Sequence, residues 1–510
     1  MNSQNNPQIV DFNTLLPTGY LPTAEQVNVS VDGIPLRVVR YSHCDVPFYF
    51  VHASLAENVE HGLALSVKRH HGDIRVYPSR LGLEVTPQQD KQPAAFRFSG
   101  APYLVVECEG LGYLMLAFEP PASDPEGPGV LRAADLGVTP NNVHVQTPAL
   151  QAAIDRVSAD SDLHTLVLPP GLYRAGDLHL RSNCRLHLCG GAVLQASDNA
   201  ADIGDPSVGG FGPKRAAFIN ALSVENLSIT GPGHIDGNRP VLDLQRYFRD
   251  MVCIKGCRSL RIDGPVFSSS CNWNTHLRGC EDVEVTRLKI LNNRPPVGFI
   301  NTDGLNPDCC RRVAIRQCLM HTGDDAVAVK SCGEDDGLLG DVADIVVSDL
   351  LAINNSATAK IGTETHAARM ERIRFERIDA VHTARLCVID AFDLADIRDV
   401  VFEDIRLNRL DHSRPGSASD GRLIDLHASA PTWRKVKGRS RIENVHIRNL
   451  ISDEPGRCLI TGLSEEYGVS RVRLENVRVA GKALQMEDLE QSGSVRELTL
   501  DPPAEPNSVG

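Results

Sequence analysis

The chain has 510 residues, of which 42% are hydrophobic and 5% aromatic, and its formal net charge is −13 at pH 7. This length allows two or three domains and a large core. The acidic balance argues against nucleic acid as a partner and offers no attraction to an anionic membrane surface. No apolar stretch reaches the 18 residues of a membrane-spanning helix, so we expect no membrane span.

The cysteines favour a reducing compartment. The chain has 14 of them, without the paired Cys-x-x-Cys modules of a zinc ribbon. Seven recur near apolar strand positions, where a free thiol acts as a small hydrophobe: Cys253, Cys257, Cys271, Cys280, Cys309, Cys310 and Cys318. The first residues lack the charged segment and apolar run of a secretory leader. We therefore expect a cytoplasmic protein, or a secreted one if a leader has been removed.

The first part of the chain predicts a β-sandwich. Residues 1–24 are polar and interrupted by proline, which suggests an N-terminal arm. Residues 25–120 contain short alternating strands about ten residues apart and no helical period, as in Val27-Asn-Val-Ser-Val31 and Ala95-Phe-Arg-Phe98. This pattern is typical of a sandwich. We expect it to be an accessory domain.

Residues 121–146 are rich in Pro, Gly and Asp and predict a linker. Thr147-Pro148 then has the pattern of an N-cap followed by proline at the first helical position. Helical spacing continues to Val157. This single amphipathic helix is placed to cover an open sheet edge.

A short apolar strand recurs through residues 147–500, mostly at intervals of about 23 to 33 residues. Such repeats fit a solenoid better than a globular sandwich. We therefore predict an all-β chain in which a parallel β-helix follows the sandwich, with a tail over residues 501–510. The later repeats begin at Leu227, Leu260, Val283, Val313, Ile345, Ile373, Val400, Val445 and Val472.

Three acidic residues fall on two consecutive repeats. Asp303 lies in Asn-Thr-Asp-Gly, and Asp324 and Asp325 follow 21 and 22 positions later in Gly-Asp-Asp. Parallel strands lie about 4.8 Å apart, so a coil of this length would stack Asp303 on Asp324 and gather all three carboxylates. Repulsion then keeps a proton on at least one of them. An acid beside a base, across a gap wide enough for water, is what inverting glycoside hydrolysis requires.

Each of these features has a simpler interpretation. An isolated Asp-Asp or Asn-Thr-Asp-Gly is more often a turn or strand-end cap, and clustered carboxylates can also bind calcium. His321 is more often a capping or groove-lining residue than an acid or base, and His276 is a candidate for contact with sugar. Lys330 is either a solvated strand residue or a salt-bridge partner of the aspartates. No His/Cys ligand set surrounds the aspartates, so we expect no cofactor and no metal.

Five segments resemble family 28 glycoside hydrolases, the polygalacturonase-like pectinases built on a right-handed parallel β-helix. The resemblance covers residues from about 145 to 460. It implies the pectin-lyase-like fold and hydrolysis of O-glycosyl bonds in polysaccharide degradation. The segments are Pro170-Gly-Leu-Tyr173, Gly231-Pro-Gly-His-Ile-Asp-Gly-Asn238, Trp273-Asn-Thr-His276, Asn301-Thr-Asp-Gly304 and Gly323-Asp-Asp325.

The resemblance also implies roles. Asp324 would be the general acid that protonates the glycosidic oxygen, and Asp303 and Asp325 would orient and deprotonate the attacking water. Asn301 would form hydrogen bonds within the site. Arg385 corresponds to the arginine of the family's Arg-Ile-Lys motif and would contact substrate oxygens.

Two departures from the family pattern bear on the substrate. The family's Gly-His-Gly is missing from residues 356–365, where Lys360, Glu364 or His366 could occupy the nearby space. Cys387 stands in place of the lysine that helps pectinases to bind a uronate carboxylate. An uncompensated carboxylate would be costly if desolvated, so we expect the substrate to be something other than ordinary polygalacturonate.

Several functions remain open at this point. The sandwich before a β-helix is also similar to family 49 enzymes, the dextranase and isopullulanase group, which would make the substrate an α-glucan. A polysaccharide lyase or epimerase would need a base at the C5 proton, for which Lys360 is the candidate. A non-catalytic glycan-binding solenoid is the remaining class. The sugar, its linkage and the oligomeric state are not indicated, and insertions at residues 201–214 and 412–421 are candidates for groove-blocking loops.

Overall fold

A computed structural model describes residues 9–41, 47–68, 72–89, 92–202, 217–239, 249–292, 301–333, 336–412, 420–432 and 439–503. Most of the two candidate groove-blocking insertions, the first eight residues and most of the expected C-terminal tail lie outside the described residues. Within the described part, no helix combines the length and apolar character needed to cross a membrane.

The N-terminal domain is the predicted sandwich of two sheets. A six-stranded sheet has the order β1-β5-β10-β9-β7, with β4 also paired to β5, and a four-stranded sheet has the order β3-β2-β6-β8. Apolar side chains such as Val29, Leu65 and Leu116 fill the space between them. The strands are β1 Val10–Asp11, β2 Val27–Val31, β3 Ile34–Leu36, β4 Val39–Tyr41, β5 Phe48–Ser54, β6 Glu60–Val67, β7 Ile74–Tyr77, β8 Ala94–Ser99, β9 Tyr103–Cys108 and β10 Gly112–Glu119.

The second domain is a parallel β-helix, and the α-helix α1 Thr147–Ala159 lies between its first two strands in chain order. Short 3-10 helices occur at Phe12–Leu15, Ser79–Leu81, Ala133–Leu136, Ala200–Asp202 and Met486–Asp488. The strands of this domain are β11 Val130–Arg132, β12 Thr165–Leu168, β13 Gly171–Ala175, β14 Leu178–His179, β15 Arg185–Leu188, β16 Ala192–Ala196, β17 Ala217–Leu222, β18 Glu225–Thr230, β19 His234–Asp236, β20 Asp250–Lys255, β21 Arg258–Asp263, β22 Val266–Ser268, β23 Thr275–Arg278, β24 Glu281–Thr286, β25 Lys289–Asn292, β26 Leu305–Asp308, β27 Arg311–Thr322, β28 Val327–Ser331, β29 Val342–Asn354, β30 Ala357–Thr365, β31 Arg369–Thr383, β32 Arg385–Ala391, β33 Asp396–Leu410, β34 Arg422–Ala428, β35 Arg441–Ser452, β36 Arg457–Thr461, β37 Val469–Val479, β38 Lys482–Ala483, β39 Leu489–Ser492 and β40 Val495–Asp501.

These strands form two sheets that run the length of the domain. One has nineteen strands, and the other has eleven in the order β14-β17-β20-β23-β26-β28-β30-β32-β34-β36-β39. The predicted repeats lie in register on consecutive rungs, as in Leu260 opposite Val283 and Val283 opposite Val313. Their inward side chains form one continuous aliphatic core. The β-helix prediction is confirmed.

The helix α1 closes the N-terminal end of that core with Leu150, Ala153, Ile154 and Val157. Its N-cap differs from the prediction, because the helix begins at Thr147 and Gln146 is the cap. The Thr147 hydroxyl instead accepts a hydrogen bond from the Gly176 backbone at 2.7 Å, which ties the helix start to the rung beneath it.

Two predicted boundaries need correction. Val10–Asp11 pairs with β5 and belongs to the sandwich, not to a separate arm. Val130–Arg132 pairs with β12 and forms the first rung of the nineteen-stranded sheet, not part of a linker. In both places a two- or three-residue strand satisfies the backbone groups of a sheet edge, a signal too short to read from sequence.

The two domains share an interface that contains a buried ion pair. Apolar residues of both domains, such as Phe50 and Leu319, pack together there. Lys289 of the β-helix is fully buried, and its ammonium forms an ion pair with Glu119 at the end of the sandwich. Burial alone would raise the pKa of Glu119, but Lys289 and His52 lower it to about 2. The carboxylate therefore stays ionised inside the interface.

We predict that Lys289→Met destabilises the protein by about 3–5 kcal/mol, because it removes the cation that compensates the buried charge of Glu119. The remaining partners of Glu119 are the Tyr103 hydroxyl and the His52 ring, whose pKa is lowered to about 4. The double variant Lys289→Met/Glu119→Gln should recover most of that loss, since neither charge remains. Free energies of urea unfolding measure both effects. Equal destabilisation by the single and double variants would show that lost packing, not lost charge compensation, is responsible.

Candidate active site

The three aspartates meet at one end of adjacent strands in the eleven-stranded sheet. Asp303 lies two residues before β26, and Asp324 and Asp325 lie shortly before β28. One carboxylate oxygen from each residue lies within 4.8 Å of those of the other two. The structure thus brings together the three carboxylates that the repeat spacing predicts.

The stacking partner of Asp303 is Asp325 and not, as predicted, Asp324. Leu305 is paired with Val327, and the Gly304 backbone nitrogen donates to the Asp325 carbonyl at 2.8 Å. The coil between the two acids is therefore one residue longer than the stacking prediction assumed. A Cβ on Gly304 would lie 2.5 Å from the Ala326 carbonyl oxygen, so glycine is needed for the rungs to approach this closely.

Asp325 is the strongest anion of the three. Its Oδ2 accepts a hydrogen bond from the Lys360 ammonium at 2.7 Å, and its Oδ1 accepts one from the Ala357 backbone at 3.0 Å. Burial alone would raise the pKa of Asp325, but Lys360 and Lys330 lower it to about 2. This carboxylate is ionised throughout the neutral range.

Asp303 holds its proton more readily. Burial raises its pKa to about 6, with the Lys330 ammonium opposing the shift and Asp325 reinforcing it. Lys330 lies 3.7 Å from Asp303 and 3.1 Å from Glu364. Of the two roles considered for Lys330, the salt-bridge partner is the one that the structure shows.

Asp324 is the acid of the set. It is partly exposed, and its pKa is raised well above the usual range by burial and then by the charges of Asp325 and Asp303. A carboxyl group with a raised pKa and one with a lowered pKa therefore stand side by side. This is the pairing of acid and base that glycosidic hydrolysis needs.

The spacing of the carboxylates bears on the stereochemistry. The nearest oxygens are closer than the about 6.5–9.5 Å between carboxyl groups that is usual for inverting enzymes. A water molecule that makes hydrogen bonds of about 2.8 Å can nevertheless bridge two oxygens up to about 5 Å apart. The site can hold one water between its carboxylates, while inversion itself follows from the family resemblance and not from this distance.

Two further predicted residues border the aspartates. Asn301 is half-buried, two positions before Asp303. Glu364 is also half-buried and lies against Lys330, on the neighbouring strand β30. His366, the third residue considered for the space left by Gly-His-Gly, lies 3.4 Å from Asp393 instead.

Arg385 is held by carboxylates. It donates to both oxygens of Asp390 at 3.0 and 2.7 Å and to Asp425 at 2.6 and 3.1 Å. The side chain is 4% exposed. Most of the N–H donors of Arg385 are therefore occupied by these two carboxylates. Instead of the predicted direct contact with substrate, we assign Arg385 the role of holding Asp390, which also lies 3.8 Å from Lys360.

The predictions for His276 and His321 are wrong in their placement. His276 has no exposed surface, and its Nε2 lies 2.9 Å from Asp308. His321 belongs to β27 of the other long sheet, where its ring packs 4.5 Å from that of Phe48 in the sandwich. The chain turns from the nineteen-stranded sheet to the eleven-stranded sheet between His321 and the Gly323-Asp-Asp325 motif. His321 therefore lies on a different sheet from the aspartates that follow it.

The interpretation of Cys387 also needs correction. Its side chain is fully buried in the aliphatic core, between Ala359 and Ile424 on the adjacent rungs. It therefore does not mark a cation missing from the groove, and Cys387→Lys would place an ammonium in the core. Outward-facing cations of the site are instead Lys330 and Lys360.

Trp273 was not predicted as a site residue beyond its part in the family motif. The Lys330 ammonium lies 4.7 Å from the centre of its ring, which completes the surroundings of that lysine. In the sequence, only its place in the Trp273–His276 motif points to Trp273. A cation–π contact between residues far apart in the chain leaves no local sequence pattern.

Comparisons with known proteins show similarity to one family of enzymes. Residues 164–336 match the profile of Glycosyl hydrolases family 28. A probable polygalacturonase of Vitis vinifera is 28% identical over 270 residues, which cover 49% of this chain and 54% of that protein. An exopolygalacturonase of Zea mays is 23% identical over 320 residues, which cover 53% and 74%. The chain thus spans about half the length of the grape relative.

Solved structures show the same fold. The family 28 exopolygalacturonase of Yersinia enterocolitica has a TM-score of 0.52 at 16% identity, over 88% of this chain and 98% of that one. Dex49A of Penicillium minioluteum has a TM-score of 0.50 at 12% identity, over 94% and 96%. Both solved structures share the parallel β-helix fold of this chain, and residues 164–336 carry its similarity to the family 28 profile.

We predict that Lys360→Met raises the pKa values of both Asp325 and Asp303, because the charge of Lys360 lowers both. The acidic limb of the pH profile of kcat/KM should move upward by about 1–3 pH units, measured on the glycan that the wild type cleaves fastest. Lys482→Met removes an exposed lysine and serves as the control. A lower kcat with an unshifted profile would contradict this role for Lys360.

Proposed function

We propose that the protein is an inverting glycoside hydrolase that acts on an oligo- or polysaccharide with an uncharged sugar at the cleavage subsite. The observation that supports it best is the separation of proton affinities within one carboxylate cluster. The pKa of Asp324 is raised and the pKa of Asp325 is lowered, although the two residues are neighbours in sequence. The site needs no cofactor for this chemistry.

In the proposed reaction, Asp324 donates its proton to the glycosidic oxygen as the bond to the anomeric carbon breaks. Asp325 and Asp303 accept hydrogen bonds from a water molecule and take one of its protons as its oxygen bonds to the opposite face of that carbon. The products are two sugars with inverted configuration at the new reducing end. Proton exchange with solvent returns the proton to Asp324.

The charge balance of the site favours a neutral sugar. With Asp324 protonated, Asp303, Asp325 and Glu364 carry three negative charges above pH 6, against two positive charges on Lys330 and Lys360. The guanidinium of Arg385 is shared between two further carboxylates. Among the described residues of the site no cation is in excess, so a uronate would add a negative charge without compensation.

The alternatives differ in what supports them. The names of the sequence relatives support a polygalacturonase, and the fold shared with Dex49A is compatible with an α-glucan hydrolase. A lyase would need Lys360 as a neutral base, but Asp325 and Asp390 raise the pKa of Lys360 in spite of its burial. A solenoid that only binds glycans would not need carboxyl groups with separated pKa values.

The buried free thiols of the described residues support the cytoplasmic location that we propose.

We predict that Asp324→Asn lowers kcat by at least about 10²–10⁴-fold, because an amide cannot donate the proton. The fold should remain intact, since the amide has the shape of the protonated acid. Asp282→Asn is the matched control, because that aspartate forms only an exposed ion pair with Arg312. Activity near that of the wild type in Asp324→Asn would remove this residue from the mechanism.

The substrate prediction is tested with reducing-end assays on isomalto-oligosaccharides, other neutral oligosaccharides and oligogalacturonides of matched length. We expect faster release from a neutral glycan, and proton NMR of the first product should show the inverted anomer. Efficient hydrolysis of oligogalacturonides would instead establish a polygalacturonase. Release of an unsaturated uronate, detected by its absorbance, would indicate a lyase.

A further inference from the structure

A second cluster of chemically reactive side chains lies on the eleven-stranded sheet, on the two strands before β26. Asp250 and Cys253 belong to β20, and His276 is the strand partner of Cys253 on β23. Asp250, Cys253 and His276 are all buried, yet none belongs to the aliphatic core that Ile254 and Leu277 join. Strand alternation places Cys253 and His276 on the outer face of the sheet. Asp250, the first residue of β20, lies beside them, with a carboxylate oxygen 3.6 Å from the His276 Nδ1.

The geometry of this cluster suits a small cation with mixed ligands. The His276 Nδ1 lies 3.6 Å from a carboxylate oxygen of Asp250 and 3.9 Å from the Cys253 sulfur. One ligand atom from each residue lies within 4.8 Å of the others. Ligands of a tetrahedral zinc ion, with bonds of about 2.0–2.3 Å, are separated by about 3.3–3.8 Å. The two distances from the His276 Nδ1 lie within a few tenths of an ångström of that range, and the ligand atoms of Asp250 and Cys253 lie within 4.8 Å of each other.

The residues around the cluster orient its ligands. His276 uses Nε2 for the Asp308 carboxylate at 2.9 Å, which leaves Nδ1 directed at Asp250 and Cys253. Asp308 is itself held by Arg278 and by the Cys332 backbone, each at 2.8 Å. Carboxylates commonly hold zinc-binding histidines in this way, fixing the tautomer and the ring orientation.

We propose that Asp250, Cys253 and His276 form a zinc-binding site that is separate from the three aspartates. Thiolate, imidazole and carboxylate are the ligand types that zinc accepts together. The ion joins β20 to β23, and β23 pairs with β26, the strand that follows Asp303. It therefore supports the sheet beneath the three aspartates without touching substrate.

Two other groups of potential ligands are weaker candidates. In the group of Asp124, His187 and Cys189, both ring nitrogens of His187 are already in hydrogen-bond contact, with Thr230 at 2.9 Å and with Asp124 at 3.1 Å. The Asp124 side chain is also 46% exposed. The catalytic group offers carboxylates alone, which suit calcium or magnesium better than zinc.

The test uses the full chain, stripped with a chelator and then titrated with Zn²⁺. Native mass spectrometry should show one ion per chain, and Co²⁺ in its place should give the near-ultraviolet charge-transfer band of a cobalt thiolate. Cys253→Ser and His276→Gln should each weaken binding by more than about 100-fold, and Asp308→Asn by about 10–100-fold. Cys318→Ser, which removes a cysteine of the aliphatic core, is the matched control and should bind like the wild type.

The variants also show whether zinc binds at a site other than the proposed one. Loss of binding in Cys189→Ser or in Asp324→Asn, with binding retained in Cys253→Ser, would overturn the proposal. So would a wild-type protein that binds no Zn²⁺, or one whose Co²⁺ spectrum lacks a thiolate band. This last measurement needs no substitution, so it decides the matter even where a buried variant fails to fold.

Discussion

The repulsion among carboxylates on adjacent rungs is the interaction on which this site depends. Parallel strands lie about 4.8 Å apart, and Gly304 lets the rungs of Asp303 and Asp325 approach closely. Three ionised carboxylates at this separation would oppose folding. Lys360 lowers the pKa of Asp325 and Lys330 partly compensates Asp303, while burial, together with the charges of Asp325 and Asp303, raises the pKa of Asp324. The separation of pKa values that the proposed mechanism needs therefore follows from burial and charge within the stack itself.

The surroundings of the stack keep these charges in place. Arg385 holds Asp390 beside Lys360, and Glu364 and Trp273 hold Lys330. Because each cation already has an anionic partner, the site has little positive charge to offer a substrate. The same pairs that allow three acids to share one patch thus argue for a neutral sugar. This argument replaces the one from Cys387, whose side chain belongs to the core.

Much of the architecture could be predicted because strand alternation and repeat length are local signals. The rungs that begin at Leu260, Val283 and Val313 are in register as predicted, and the three aspartates meet. The predictions that failed depend on the strand register of single residues. One residue of extra coil pairs Asp303 with Asp325, and a change of face turns Cys387 inward and His321 toward the sandwich. A one-residue slip reverses the face of every side chain on a strand, so a repeat known only to within a few residues cannot settle such positions.

The central claim is that Asp324 is protonated at neutral pH while Asp325 is ionised. Difference infrared spectroscopy between the wild type and Asp324→Asn tests it without any substrate. The account predicts that the substitution removes the carbonyl stretch of a protonated carboxyl group at pH 7 and leaves the carboxylate bands unchanged. Loss of a carboxylate band, with no change in the region of protonated acids, would show that Asp324 is ionised and would contradict its role as the general acid.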